Sequence, residues 1–227
     1  MIRMETILIT GAGTGLGKAL ALTYSKKGFS ILLSGRNEHP LKTVEQEIEQ
    51  LGGHAAAVVC DITNSHSIAA MLNALQEKNI TIDRLINNAG VGYFGELESL
   101  SEADINTILD TNVKGTILLT RALLPLFKKQ QSGRILNIIS TAGLRGKVNE
   151  SVYVASKFAV RGFSESLQKE LEHTPIDVTA VYMGGMDTPF WENSDHVKDK
   201  SRFKTPETVA EKILSEDDGR PEIFVDK

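Results

Sequence analysis

Thr6-Ile-Leu-Ile-Thr-Gly-Ala-Gly-Thr-Gly-Leu-Gly-Lys18 is the stretch on which the reading of this chain turns. Thr6–Thr10 is a short β-branched and apolar run, suited to a strand buried on both faces of a parallel sheet. Glycine then occupies every second position from 11 to 17, and Lys18–Lys27 has a helical pattern ended by Gly28. A glycine turn between strand and helix lets backbone amides and the positive helix end meet a pyrophosphate. The spacing fits the form GxxxGxG as well as GxGxxG. Its place, between the first strand and the first helix, marks a dinucleotide site.

Working outward, Ser30–Ser34 reads as the second strand, whose end faces the adenosine ribose in dinucleotide folds. The residues there are Ser34-Gly-Arg-Asn37, with no carboxylate before Glu38 to take the free ribose hydroxyls of NAD(H). Arg36 can instead fork onto a 2′-phosphate, which favours NADP(H) over NAD(H). Thr14 is neutral, so the glycine loop adds no second basic contact.

The same alternation continues along the chain. Helices are predicted over Pro40–Leu51 and Asn64–Lys78, and strands over His54–Cys60 and Ile82–Ala89. Ser101-Glu-Ala-Asp104 has the form of a capping box. The helix it opens runs to Gln130 and is stopped by Gly133, with an irregularity expected where Asn112 and Gly115 interrupt it. Further strands are predicted at Arg134–Ile139, Asp177–Tyr182 and Glu222–Val225, and a last helix follows Thr205-Pro206. Strands and helices in alternation give an α/β fold with a right-handed, doubly wound parallel sheet and helices on both faces.

Composition narrows the class. At 227 residues the chain suits a single domain over 1–227, and 41% hydrophobic with 24% charged residues is ordinary for a globular protein. A net charge of −4 gives no electrostatic case for nucleic acid or an anionic membrane. The most apolar helical stretch, Val113–Phe127, carries Lys114, Arg121 and Pro125, so no membrane span is expected. Cys60 is the only cysteine and the five His residues show no metal-ligand spacing, so no metal is expected. The first strand begins within a few residues of Met1, which leaves no room for a secretory signal; a cytoplasmic location is the expectation.

Tyr153 and Lys157 lie four residues apart in Ser151-Val-Tyr-Val-Ala-Ser-Lys157, on one face of a predicted helix that runs to Leu171. A free phenol titrates near ~10, too high for proton transfer at neutral pH. A fixed ammonium nearby favours the phenolate, so Lys157 is expected to lower the pKa of Tyr153. Any helix can carry Tyr and Lys at this spacing. The surrounding motifs give the pair its weight.

Taken in order, those motifs resemble the short-chain dehydrogenase/reductase family, over nearly the whole chain. They are Thr10–Gly17, Asn87-Asn-Ala-Gly90, Asn112, Ser140 thirteen residues before Tyr153, Tyr153 with Lys157, and Thr188. The resemblance implies a Rossmann-like fold and a role for each residue. Tyr153 would transfer the proton, Lys157 would hold the nicotinamide ribose, and Ser140 would hold the substrate oxygen. Asn112 would anchor a water that links Lys157 to solvent. Thr10, Gly11, Gly15, Leu16 and Gly17 would surround the pyrophosphate, and Asp61 and Ile62 would contact adenine. Asn88, Ala89 and Gly90 would line the cofactor cleft, and Thr188 would bind the nicotinamide amide. One departure stands out: Met183 occupies a position where the family usually has Pro, which bears on the rigidity of the following loop.

These residues imply hydride transfer between a nicotinamide and a small-molecule carbonyl or alcohol, with carbonyl reduction the favoured direction. A non-catalytic NADP-binding sensor or scaffold is the alternative, disfavoured because Ser140, Tyr153 and Lys157 are all present. Substrate walls are expected from residues 91–100, 141–150 and 184–204, with Tyr93, Phe94, Leu144, Phe190 and Trp191 forming an apolar pocket. The family's usual helix-paired interface, mapped onto the two long helices, implies a homodimer or homotetramer.

Overall fold

The computed structural model describes residues 3–191, 196, 199, 201 and 203–226. Seven parallel strands form one sheet: β1 (Thr6–Thr10), β2 (Ser30–Gly35), β3 (His54–Val59), β4 (Arg84–Asn87), β5 (Gly133–Ile138), β6 (Ile176–Tyr182) and β7 (Glu222–Phe224). Their order is β3-β2-β1-β4-β5-β6-β7. The chain therefore moves outward one way from β1 to β3 and the other way from β4 to β7. The crevice between the C-terminal ends of β1 and β4 is the switch point, where open α/β sheets bind ligands.

Alternate residues of each strand enter different layers, as the period of two requires. Ile7, Ile9, Ile31 and Leu33 pack with Leu20 of α1 (Gly15–Ser25), Ile48 of α2 (Glu38–Gln50) and Ile213 of α7 (Pro206–Glu216). Leu8, Leu32 and Leu85 pack on the opposite face. Their partners are Met71 of α3 (Ser65–Glu77), Phe127 of α5 (Thr116–Gln130) and Leu167 of α6 (Ser151–Leu171). Both faces of the sheet are thus covered, as the run of apolar residues in β1 requires.

Several predicted boundaries shift for physical reasons. β4 stops at Asn87 because the next two amides turn away from the ladder and donate to the Thr10 hydroxyl. α2 starts at Glu38, so Pro40 falls in its first turn, where a missing N–H leaves no bond unmade. The predicted helix from Ser101 is broken at the expected place. The capping box of Ser101 and Asp104 opens α4 (Glu102–Ile108), a π-helical turn covers Leu109–Gly115, and α5 follows. Gly115 lies against Ile62, which a side chain at 115 would strike. Gly133 does not stop α5, contrary to the sequence reading. Gln131, in the left-handed conformation at φ 52°, ends it, and Gly133 opens β5 beneath the ring of Phe127.

Candidate active site

Three glycines shape the cradle at the end of β1. Gly11 and Gly15 have φ of 63° and 51°, the left-handed region that favours glycine. At 17, a Cβ would overlap the carbonyl oxygen of Gly11. Thr188 packs over Gly15, and Leu16 is buried beneath the turn. The loop is fixed to β4 by side chains first read as cofactor contacts. The Thr10 hydroxyl accepts from the amides of Asn88 and Ala89, both at 3.0 Å. The Asn88 side chain donates back to the carbonyls of Thr10 at 2.9 Å and Gly11 at 3.3 Å. Thr10 and Asn88 therefore join the two strands at the switch point, and their side-chain hydrogen bonds serve the shape of the cradle.

Ser140 follows β5 with φ 116° and ψ 156°, a conformation that essentially only glycine adopts at ease. The backbone around it is pinned: Ile139 N–H donates to Val181 O and Thr141 N–H to Met183 O, each at 2.8 Å. Met183, where the family usually has Pro, is buried in the core and supplies that carbonyl. The Ser140 hydroxyl accepts from Ala142 N at 3.1 Å and lies near enough to Tyr153 to favour its phenolate.

Tyr153 and Lys157 project from α6 and are both buried. Lys157 Nζ donates to the Ile138 carbonyl at 3.0 Å and lies 5.6 Å from the Tyr153 ring centroid. Burial pushes its ammonium down to about 8. Tyr153 departs from the expectation. Burial holds its phenol well above the ordinary value of 10.0, the nearby Ser140 hydroxyl pulls it down, and the Glu150 carboxylate raises it again. In the folded protein desolvation outweighs any help from Lys157, so Tyr153 stands as a protonated acid.

Asn112 is tied into the protein on three sides. Its Oδ1 accepts from Val91 N at 2.8 Å, and its Nδ2 donates to Val91 O at 2.9 Å and to Ser156 Oγ at 3.0 Å. The side chain staples the loop after β4 to α6, and Ser156 passes the link to the Tyr153 carbonyl at 2.7 Å. Gly90 permits the approach: a Cβ there would lie 3.3 Å from Asn112 Oδ1 and 3.7 Å from Lys157 Nζ.

These groups share one cleft of about 990 Å³. At its adenosine end lie Arg36, Asp61 and Ile62. Arg36 is exposed and has no hydrogen bond or ion pair among the described residues. Asp61 Oδ1 accepts from Thr63 N at 2.9 Å and Thr63 Oγ1 at 2.8 Å, which leaves Oδ2 for a ligand. Cys60 is buried, as expected of a structural thiol. At the other end Phe94 and Phe190 meet Tyr153 and Trp191 packs on both of them, an apolar wall as the sequence predicts, and Tyr93 lines the mouth. Leu144 is not among the lining residues; it is 37% exposed outside. Glu150 and His196 line the cleft, within the two stretches expected to form substrate walls, although neither was singled out by residue. No group of described residues could hold a metal.

The family model described as short chain dehydrogenase matches residues 5–199. The chain belongs to this family. An uncharacterized oxidoreductase of Staphylococcus epidermidis is 36% identical to this short-chain dehydrogenase over 194 residues, covering 86% of this chain and 83% of the relative. Among solved structures, a variant of actinorhodin polyketide ketoreductase with NADPH superposes with a TM-score of 0.89 at 29% identity, covering 98% of this chain and 95% of that one. The 3-ketoacyl-(acyl-carrier-protein) reductase of Brucella melitensis, complexed with NADH, gives 0.89 at 28%, covering 99% and 98%. The short-chain dehydrogenase described here is thus an NAD(P)-dependent oxidoreductase acting on alcohol or carbonyl groups, and no described helix is long and apolar enough to cross a membrane.

Proposed function

We propose that this short-chain dehydrogenase is an NADP(H)-dependent carbonyl reductase. The observation that carries the reading is the meeting of Ser140, Tyr153 and Lys157 in one cleft with a glycine cradle that no side chain fills. The cradle fits a dinucleotide: its left-handed glycines expose backbone amides at the N-terminus of α1, where an anion is favoured. Gly11, Gly15, Leu16 and Gly17 would hold the pyrophosphate, and Arg36 the 2′-phosphate. Asp61 and Ile62 would hold adenine, Ala89 and Gly90 would line the cleft, and Thr188 would hold the nicotinamide amide. The bound cofactor supplies the hydride.

The chain's own residues supply the proton and the geometry. Tyr153 donates the proton of its phenol to the carbonyl oxygen. Ser140 orients that oxygen through its strained, pinned backbone. Lys157 stands as the local cation beside the ribose position, anchored by Ile138. Asn112, through Val91 and Ser156, holds the cleft wall at a fixed distance from α6.

NADPH oxidation measured across a panel of aldehydes and ketones tests the reading. Turnover on at least one class supports it. Tight NADPH binding with no turnover on any would favour the sensor reading instead. Leu109 and Phe158, exposed apolar residues on the π-helical turn and on α6, fit a helix-paired homodimer or homotetramer. Sedimentation at working concentration tests that, and a monomer would overturn it.

A further inference from the structure

Glu150 is a carboxylate in the wrong place for a purely apolar pocket. It is 7% exposed, lines the cleft immediately before α6, and its charge is felt at the Tyr153 phenol. A carboxylate withdrawn from water is unfavourable by several kcal/mol unless paired. Among the described residues each of its oxygens has one partner: His196 Nε2 lies 3.0 Å from Oε1, and Lys147 Nζ is 3.8 Å from Oε2, an ion pair too long for a hydrogen bond. Ionised carboxylate oxygens accept about four hydrogen bonds between them, so acceptor capacity remains.

Aromatic rings make up the rest of this wall. Phe94 stacks on His196 at 4.8 Å and on Trp191 at 5.1 Å, and meets Tyr153 edge-on at 5.5 Å. Phe190 closes the group at 5.9 Å from Phe94. Ring faces attract cations, and more strongly where water is excluded. Of the cations that line the cleft, Lys157 is committed to Ile138, Arg36 lies at the far end, and Lys147 stands 3.8 Å from Glu150 Oε2, close enough to pair but too far to hydrogen-bond. A substrate entering beside Tyr153 therefore meets aromatic faces together with a carboxylate whose lysine partner stands beyond hydrogen-bond distance, where a closer ammonium can displace it.

Resting on the reductase reading, we propose that Glu150 is a specificity-determining residue that selects carbonyl substrates bearing a cationic amine. The amine lies among the rings with its charge against the carboxylate, while the carbonyl points to Ser140 and Tyr153. An anionic substituent at the same place faces Glu150 and is rejected. Neutral substrates fall between.

Three acetophenones of similar size test this: meta-trimethylammonio-acetophenone, its neutral isostere meta-tert-butylacetophenone, and meta-acetylbenzoate. The wild type should favour the cation over the isostere by about tenfold in kcat/KM, and the anion should be the poorest. Glu150→Gln, nearly isosteric, should bring the cation-to-neutral ratio close to one, with unaltered NADP+ binding as the check on folding. Equal kcat/KM for cation and isostere in the wild type, or an unchanged ratio in Glu150→Gln, would overturn the proposal. A failure of the reductase reading looks different: no probe is turned over at all. Selectivity can then be read from quenching of Trp191, the only tryptophan of the chain, on titrating each probe into the protein with NADP+. The same tenfold preference and its loss in Glu150→Gln support the selective role there, and equal binding of cation and isostere rejects it.

Discussion

Lys157 Nζ donates to the carbonyl of Ile138 at 3.0 Å, at the end of β5, while standing 5.6 Å from the ring centroid of Tyr153. One strand end thus fixes the cation, and two residues on, the Ser140 hydroxyl stands near enough to the phenol to favour its phenolate. Tyr153 and Lys157 therefore share the end of one strand as their common neighbour. Rotation of α6 alone cannot separate them without breaking that anchor.

Replacing Tyr153 by Phe removes the acid and keeps the ring against Phe94 and Phe190. A positioned acid typically contributes about 10²–10⁴ in rate, so turnover should fall by that order with NADPH affinity retained. Steady-state rates on any verified substrate, beside a cofactor titration, measure both. More than about a tenth of wild-type turnover would remove Tyr153 from the role of donor.

Lys157→Met should remove activity and reveal the strain of burying the ammonium. In the unfolded chain Lys157 keeps its proton to about 10.5, and in the folded protein only to about 8. Between those values unfolding takes up a proton, so raising the pH favours the folded wild type. Below about 8 the ammonium is buried and the penalty is fully present. The stability of wild type relative to Lys157→Met should therefore climb from pH 8 to 10.5, approaching about 1.4 kcal/mol per pH unit. Urea unfolding of both proteins across that range gives the difference. A flat difference would mean the lysine is well solvated.

Much of this fold could be read from the chain because its signals are local and repeated. The apolar run of β1, the glycine turn and the amphipathic helices each state their own conformation, and their alternation leaves one topology. Asn112 and Gly115 even marked the π-helical turn. What escaped the reading depends on contacts far apart in sequence. Thr10 and Asn88 line the cleft as expected, but the bonds between them, which no local pattern announces, exist only because β1 and β4 are neighbours. The effect of Lys157 on Tyr153 was argued from spacing alone. The outcome depends on burial from Phe94 and Phe190, and on Glu150, whose approach to His196 no local pattern announces.

Ser140 offers a test of strain at the site. At φ 116° a Cβ is unfavourable, by about 1–3 kcal/mol in such regions. Glycine relieves this and loses about 0.5–1 kcal/mol of chain entropy in return. Ser140→Gly should therefore be more stable than Ser140→Ala by up to about 2 kcal/mol, although both lose the hydroxyl and with it turnover. Denaturant midpoints for the two variants decide the point. Equal stability, or a more stable alanine, would mean the conformation is not strained.

Cofactor choice rests on Arg36, exposed just past β2 with Ser34 and Gly35 before it and no ion pair among the described residues. A guanidinium without a partner in the fold is available to a 2′-phosphate, and its neighbours place no carboxylate where that phosphate would sit. A charge-assisted hydrogen bond contributes roughly 1.5–3 kcal/mol, so Arg36→Ala should weaken NADPH by about ten- to a hundredfold. NADH lacks the phosphate, and its affinity should hardly move. Because the contact is open to solvent, high salt should narrow the wild-type preference by screening. Titrating both cofactors into both proteins at low and high salt needs no knowledge of the substrate. A wild type that prefers NADH, or equal losses for the two cofactors, would leave Arg36 as a surface residue and return the choice to NAD(H).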